Sequence, residues 1–417
     1  MTASDVEFAI IGGGAAGIAA ARLFAAEGRS YVIIEASGLL GGRCVSKTSA
    51  TGLVYDVGAH FLHMPDLNPL YALGAVGGFD VYRSSNDHWL QRNRREASAA
   101  EYDALDQGWT RMDAAVFTHP RSAPDISCAD LIPKDLGRWQ QTLEFIVGPY
   151  LCGRDLDEVS AHDFATSDER EDDGFCREGF GRLLAYLGHG LDVRLACPVR
   201  RIARAKDPGL EISTAGGTLR AAATLVTVST AVLASGAIDF APGLPDDLVR
   251  ACAGLPLGSY ERVIFTLGGN PLGASADSLI FAHTTAVEGA ALLARVGGTD
   301  LAMLDVGGRV ASGLAKAGPD AMMAFAHDWL KSTFGGYAAK QFKPIETTSW
   351  CRDPLTLGSF SSANIGMMSA RQTLRDYRDG HIWFAGEATH ASLWGTVAGA
   401  WESGEQAARD MIRHIRP

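Results

Sequence analysis

Gly12, Gly14 and Gly17 sit at the spacing of a phosphate grip, and Glu35 stands where a carboxylate can receive a ribose hydroxyl. The apolar run Phe8-Ala9-Ile10-Ile11 leads directly into Gly12-Gly13-Gly14-Ala15-Ala16-Gly17, and a second run, Tyr31-Val32-Ile33-Ile34, ends in Glu35-Ala36. The order is strand, glycine turn, helix, strand, acid, the context in which G-x-G-x-x-G binds a dinucleotide. Gly12 permits the tight turn, Gly14 lets the backbone approach a pyrophosphate, and Gly17 lets helix and strand pack closely. The helix start at Ala15-Ala16 adds free N–H groups and the positive end of a dipole. Further on, Gly41-Gly42-Arg43 combines close backbone approach at Gly42 with a guanidinium fork suited to phosphate oxygens at Arg43.

These groups need elements to hold them. A chain of 417 residues with 47% hydrophobic residues can build about two or three structural units. Residues 1–63 form a nucleotide-binding start. Tyr102–Phe117 and Cys128–Tyr150 have helical spacing, whereas Asp163–Asp173 is charged and reads as a solvated loop. Leu191–Leu195, Val199–Ala205, Leu210–Thr214 and Leu225–Val228 are strand-like, with Gly216-Gly217 as a hairpin turn. Arg262–Leu267 and His381–Phe384 are further strands; Pro319–Phe334 and Gly395–Ile415 are helices, the last with Arg409, Arg413 and Arg416 near its end. The nucleotide domain is thus discontinuous, made of 1–63, 191–250 and 351–417, with a second domain from 64–190 and 251–350.

Composition excludes several classes. A net charge of -11 without a basic stripe argues against nucleic acid. No apolar run reaches about 18 residues, so no membrane span is expected. The first residues lack the charged and apolar regions of a secretory signal. Seven scattered cysteines without a C-x-x-C pair read as reduced thiols of a cytoplasmic protein.

Three further motifs are specific: Gly58-Ala59-His60-Phe61-Leu62-His63, Phe384-Ala385-Gly386-Glu387-Ala388-Thr389 and Thr396-Val397-Ala398-Gly399-Ala400. Together with the glycine fingerprint and the G-G-R, in this order, they resemble the FAD-dependent amine oxidase family, which includes monoamine, polyamine and L-amino-acid oxidases. The resemblance implies an α/β fold, a Rossmann-like FAD-binding domain with an inserted α+β substrate domain. It implies that Glu35 holds the adenosine ribose, that Val199 meets adenine through its backbone, and that Arg43 lines the phosphate or flavin edge. Gly58, Ala59 and His60 would run along the isoalloxazine, while Gly386 and Glu387 hold pyrophosphate and ribitol. Thr396 and Val397 would open the last helix near flavin O2, where a helix N-terminus stabilises the charge of the reduced ring.

Trp350–Phe360 resembles the family's segment leading to an aromatic cage. Phe360 is the expected first wall; Trp394, or Thr396 by strict helix alignment, is the second. Ser359 stands where covalent members place a flavin-bonding cysteine, so the FAD is expected to be non-covalent. Arg262 occupies the position of the family's lysine, and unlike lysine it cannot act as a base; either it is purely electrostatic or the strand is shifted by one residue. His60 and His63 lack further ligands for a metal and are expected to line a channel. Gly179-Phe180-Gly181 is no second dinucleotide fingerprint, because Glu171–Glu178 reads as too polar for a buried strand.

The implied reaction is hydride transfer from the carbon bearing nitrogen to flavin N5, giving an imine that hydrolyses. Reoxidation would be by O2 or by an electron-transfer acceptor. Phe61 stands where amino-acid oxidases carry an arginine for the carboxylate, which points to a carboxylate-free amine. A homodimer is compatible with the sequence. The alternatives are a flavin desaturase or isomerase acting on an apolar substrate, and a catalytically silent FAD-binding protein.

Overall fold

Gly12, Glu35, Thr227 and Ala385 all leave one edge of a single sheet. A computed structural model describes residues 5–85, 87–168, 172–206, 208–286 and 288–415. In it, Val6–Ile11 lies parallel between Tyr31–Ile34 and Gly217–Val226, and Ile382–Phe384 from the far end of the chain also pairs in parallel with Gly217–Val226. The register sets Ile11 beside both Ile34 and Val226, and Val226 beside Phe384, so four carboxyl ends coincide. Val193–Arg194 extends one side; Leu210–Thr214, Val199–Arg204 and Asp239–Ala241 complete eight strands.

The apolar run that precedes the glycines explains this placement. Phe8, Ala9, Ile10 and Ile11 are all buried, as parallel strands covered on both faces must be. On one face, the helices Ala15–Ala26 and Val397–His414 pack over Phe8, Ile10, Leu225 and Trp383. On the other, Leu248 and Leu374 of the helices Asp246–Gly254 and Ala370–Asp376 pack on Ala9, Ile11 and Ile34.

A second sheet of seven strands has the order Phe342–Thr347, Tyr260–Leu267, Leu301–Gly307, Ala291–Ala294, Ser278–Ala282, His88–Arg92 and Arg95–Glu96. The helices Gly308–Ala317 and Pro319–Phe334 cover the face carrying Val263 and Phe265. Side chains alternate along a strand, so Tyr260, Arg262 and Ile264 face the other way. There Ile264 and Met303 pack on Tyr55 and Val57, which follow the nucleotide-binding start.

Two expected elements differ. Cys128–Tyr150 is not one helix but a series ending in Gln140–Phe145 and a π-helical turn, Ile146–Tyr150, with Pro149 inside. Proline supplies no N–H to the regular ladder and crowds the preceding turn, which breaks the period. Residues 173–176, read as too polar for a strand, form one: Asp173–Cys176 pairs with Leu62–His63 and Val81–Arg83, with Gly174, Phe175 and Cys176 buried. The charges that flank these three residues masked them. Within the charged Asp163–Asp173 stretch, Asp163 is fully buried against Arg371, not solvated, and Glu169, Arg170 and Glu171 lie outside the described residues, as does Arg416. The seven cysteines are free thiols, and among the described residues no helix is long and apolar enough to cross a membrane.

Candidate active site

The glycine turn is braced by Glu35. Its carboxylate accepts the Gly13 N–H at 2.6 Å and the Ser37 N–H at 2.7 Å. Gly12 has φ +111°, and a Cβ there would sit 2.6 Å from the Thr227 hydroxyl oxygen, so no other residue fits the turn without displacement. At Gly14 the situation is different. A Cβ would meet nothing nearer than the Gly42 Cα at 4.0 Å; it would occupy open space at the start of the Ala15–Ala26 helix. That helix has Gly14 as its N-cap with no side-chain cap, leaving first-turn amides for an anion. Ala16 and Gly17 lie in this first turn. Cys197 N–H donates to the Glu35 carbonyl at 2.8 Å, which brings the start of the Val199 strand beside the acid; Ala36 lies between Glu35 and its partner Ser37.

At the other end of the cleft, Glu387 is the hub. It accepts Arg43 Nη1 at 3.0 Å, the Ser361 hydroxyl at 2.7 Å, the Ser361 N–H at 3.2 Å and the Gly395 N–H at 2.9 Å. Burial works against its charge, but Arg43, Ser361 and Arg371 outweigh that and hold its carboxyl below the ordinary carboxylate pKa. Arg43 Nη1 also donates to the Ser359 carbonyl at 2.5 Å. Thr396 caps the last helix by accepting the Gly399 N–H at 2.9 Å, and Val397 is that helix's first residue. Arg43, Thr227, Ser229, Gly386, Glu387 and Thr389 line a cleft between the two ends. The cradle that a Gly14 Cβ would fill, the uncapped helix start and the two acids fit an extended dinucleotide running from Glu35 past Gly14 and Gly42 to Glu387.

Arg262 reaches this site through the backbone. Its Nε and Nη2 bind both oxygens of Asp305 at 2.6 and 2.9 Å, while Nη1 donates to the carbonyls of Asp56 and Gly58 at 3.1 and 3.0 Å. The side chain is 5% exposed. Burial alone would favour its neutral form, but Asp305 raises its pKa further and keeps it a cation. The arginine therefore fixes Asp56–Gly58, next to Ala59 and His60, and has no fork free for a ligand.

The two histidines do not share one role. His60 is 4% exposed; its Nδ1 lies 2.8 Å from Asp56 Oδ2 and its ring stacks on Phe175 at 4.7 Å, so it does not line an open channel. His63 is partly exposed, with Nδ1 2.6 Å from Asp173 and its ring parallel to Phe61. Asp56 also accepts the N–H groups of Phe180 and Gly181 at 3.2 and 3.4 Å, so a carboxylate of the chain itself occupies the start of that glycine-flanked helix. Among the described residues no group of three or more His, Cys, Asp or Glu could hold a metal.

Phe360 is partly exposed beside Gly395, where a Cβ would approach its ring to 3.4 Å. Neither residue expected opposite it supplies an aromatic face there. Trp394 is 2% exposed; its indole N–H donates to Thr166 at 3.2 Å and the Arg371 guanidinium lies over its ring at 4.7 Å. Thr396 is committed to capping. The residues missed in the sequence are Asp305, Tyr260 and the Arg371–Asp163 pair, whose guanidinium also donates to Ser361 next to Phe360. Alternation places Tyr260 on the face of Arg262, a signal that was available; Asp305 is opposite Arg262 only through cross-strand register.

A family model for flavin containing amine oxidoreductases matches residues 126–412, and one for NAD(P)-binding Rossmann-like domains matches residues 10–73. Polyamine oxidase 3 of Oryza sativa subsp. japonica is 26% identical over 96% of this chain and 88% of its own length. Lysine-specific histone demethylase 2 of Homo sapiens is 23% identical over 96% of this chain and 52% of its own. The solved structure of wild-type putrescine oxidase bound to putrescine has the same fold, with a TM-score of 0.80, 20% identity and coverage of 98% of this chain and 99% of that one.

Proposed function

The chain belongs to the family of flavin-containing amine oxidoreductases and is an FAD-dependent enzyme, and from that premise we propose that its substrate is a carboxylate-free primary or secondary amine whose oxidised carbon lies against Phe360. The observation that carries this reading is that Glu387, which lines the cleft with Arg43 and Gly386, binds the hydroxyl and N–H of Ser361, the residue after Phe360. When bound, FAD supplies the acceptor for the hydride that leaves the carbon bearing nitrogen.

The side chains supply position and field. Glu35 and the Gly12–Gly14 turn hold the nucleotide end, while Arg43, Glu387 and the Val397 helix start hold the flavin end. Phe360 orients the amine and excludes water. Arg262 fixes the Asp56–Gly58 backbone and performs no proton transfer. The amine reacts as its neutral form, so no side-chain nucleophile is required; the imine then hydrolyses. Two features support a substrate without a carboxylate. Phe61 stands where an arginine fork would be needed, and Arg262 is fully engaged by Asp305 and two carbonyls. Ser359, whose hydroxyl donates to the Gly258 carbonyl at 2.8 Å, supports a non-covalent flavin. The free thiols support a reducing, cytoplasmic setting. The electron acceptor is O2 or an electron carrier.

Anaerobic mixing of the yellow holoenzyme with benzylamine, n-hexylamine, putrescine, spermidine and L-leucine tests the reading. Loss of visible flavin absorbance with amines and not with L-leucine is expected. Bleaching by L-leucine alone, or by none of them, overturns it.

A further inference from the structure

Ser361 stands between two opposite charges. It is fully buried, and its hydroxyl oxygen lies 2.7 Å from Glu387 Oε2 and 3.0 Å from Arg371 Nη1. A guanidinium has no acceptor atom, so the hydroxyl accepts from Arg371 and its single proton is left for Glu387. The same Nη1 donates to the carbonyl of Ala388, the residue after Glu387, at 3.1 Å.

Arg371 is itself held from elsewhere in the chain. Its Nε and Nη2 bind the two oxygens of Asp163 at 2.7 and 2.8 Å, a planar fork on a carboxylate. The two side chains are 3% and 0% exposed. Asp163 is fixed in turn. Its N–H donates to the Ser160 hydroxyl at 3.0 Å, and its Oδ2 also accepts the N–H of Ala363, two residues past Ser361, at 2.9 Å. The result is a buried line of partners, Asp163, Arg371, Ser361, Glu387 and Arg43, in which positive and negative groups alternate about one hydroxyl. Of this line only Glu387 and Arg43 border the cleft.

We propose that Arg371 is a positioning residue for the cofactor: with Asp163 behind it, it turns the Ser361 proton onto Glu387 and so fixes the carboxylate that gathers Arg43 and the Gly395 N–H. The proposal rests on the placement of the flavin end at Glu387 given above and adds how that end is held from outside the cleft. Lysine is no substitute here. Its ammonium can pair with Asp163, but it lacks the planar fork that engages Asp163 with two nitrogens and Ser361 with the third. Losing one hydrogen bond that serves a charged group corresponds to about tenfold in affinity. It also lets Glu387 take up a proton at higher pH. Arg43 and Arg371 are the charged groups facing Glu387, and Arg43 remains in place.

The test is dilution of the holoenzyme at a series of pH values, with released FAD read by its fluorescence. Arg371→Lys is expected to raise the FAD Kd about tenfold and to move the acid-side loss of FAD to higher pH, with a wild-type far-UV circular dichroism spectrum. Ser361→Ala is expected to do the same. The double variant should match Ser361→Ala within about threefold, because Arg371 acts through that hydroxyl. A wild-type Kd in Arg371→Lys overturns the proposal. So does a double variant about tenfold weaker than Ser361→Ala, or a weakening that is equal at every pH, since either makes Arg371 a packing support alone. If Arg371→Lys does not fold, the combination of Asp163→Asn with Arg371→Gln, which removes both charges, takes its place in the same cycle with the same expected and overturning results. Wild-type FAD affinity in Glu387→Gln overturns the placement of the flavin end and the proposal with it. Weakened affinity in Glu387→Gln beside wild-type affinity in Arg371→Lys overturns the proposal alone.

Discussion

Replacing Asp305 by Asn should destabilise the protein far more than the same change at Asp135, although both aspartates pair with an arginine. Asp305 and Arg262 have side chains 4% and 5% exposed, whereas Asp135 and Arg111 are 75% and 49% exposed. Asp305→Asn leaves a guanidinium buried without its counter-charge, still bound to the Asp56 and Gly58 carbonyls, and turns an acceptor oxygen into a donor facing it. Removing one member of a buried pair costs about 3–5 kcal/mol. For 417 residues unfolding as one unit, an unfolding entropy of roughly 0.9 kcal/mol per kelvin converts this to a Tm drop of about 3–6 °C. The exposed pair is worth at most about 1 kcal/mol, and Asp135→Asn should lower Tm by about 1 °C or less. Thermal unfolding of the holoenzyme, followed by far-UV circular dichroism and by flavin release at low and high salt, measures both. Added salt should leave the Asp305→Asn difference unchanged, because a buried pair is little screened. Equal Tm losses at the two sites, or a loss at Asp305 that salt abolishes, would refute the argument that burial sets the energy.

Phe360→Ala should retain FAD but lower the limiting rate of anaerobic flavin reduction about 10- to 100-fold, since the amine loses its orienting wall; an unchanged rate removes Phe360 from the site. Glu387→Gln should weaken FAD binding to the apoprotein, measured by flavin fluorescence titration, because the carboxylate that gathers Arg43, Ser361 and Gly395 is lost. Its folded pKa is depressed, so its stabilisation is present above the unfolded value of about 4.3 and is lost as pH falls through the folded value; the Gln variant should lack this part of the acid-side fall in Tm. His390 is pushed below the ordinary imidazole value by burial, against the pull of Glu402, and its Nδ1 accepts the Leu393 and Ser392 N–H groups at 2.8 and 3.3 Å. Its contribution is present above an unfolded pKa of about 6.5 and lost as pH falls through the lower folded pKa; Tm profiles of the wild type and His390→Gln should therefore converge on acidification.

What was legible in the sequence was what local backbone geometry demands. Gly12 must take a positive φ beneath Thr227, and Gly14 must leave room above a helix start; both demands act within a few residues and are written as glycine. The apolar spacing of Tyr102–Phe117 made that helix readable too; it starts three residues earlier, at Ala99. What was not legible depends on pairings far apart in the chain. Arg262 could be placed on its strand, but its partner Asp305 is fixed by antiparallel register, which no local pattern encodes. The sequence offered Trp394, or Thr396 by strict helix alignment, for the wall opposite Phe360. Thr396 is spent on a cap and the Trp394 indole lies in the interior under Arg371, which is itself held by Asp163, far away in the chain. Asp173–Cys176 escaped notice because three buried residues carry too little pattern to outweigh their charged neighbours.

The same long-range pairings decide where the chemistry can differ from that of other members of the family. On the reading proposed above, the grip on the cofactor uses backbone amides and two acids, Glu35 and Glu387. On the same reading, the side chain proposed to face the amine, Phe360, is set at one remove. Glu387 and Arg371 hold Ser361, and Ser361 carries Phe360 beside it; Asp305 holds Tyr260 from one side and Arg262 from the other. A substitution at Asp305 would disturb these supports away from the proposed nucleotide grip, whereas one at Glu387, or at Arg371 through Ser361, would disturb both. Arg262 shows the consequence: with a guanidinium at this position, four contacts are spent on a carboxylate and two carbonyls, and the group becomes a strut of the site instead of a reactive base. On the reading proposed above, what faces the amine is thus held by residues far apart in the chain, such as Asp163 on Arg371 and Asp305 on Arg262.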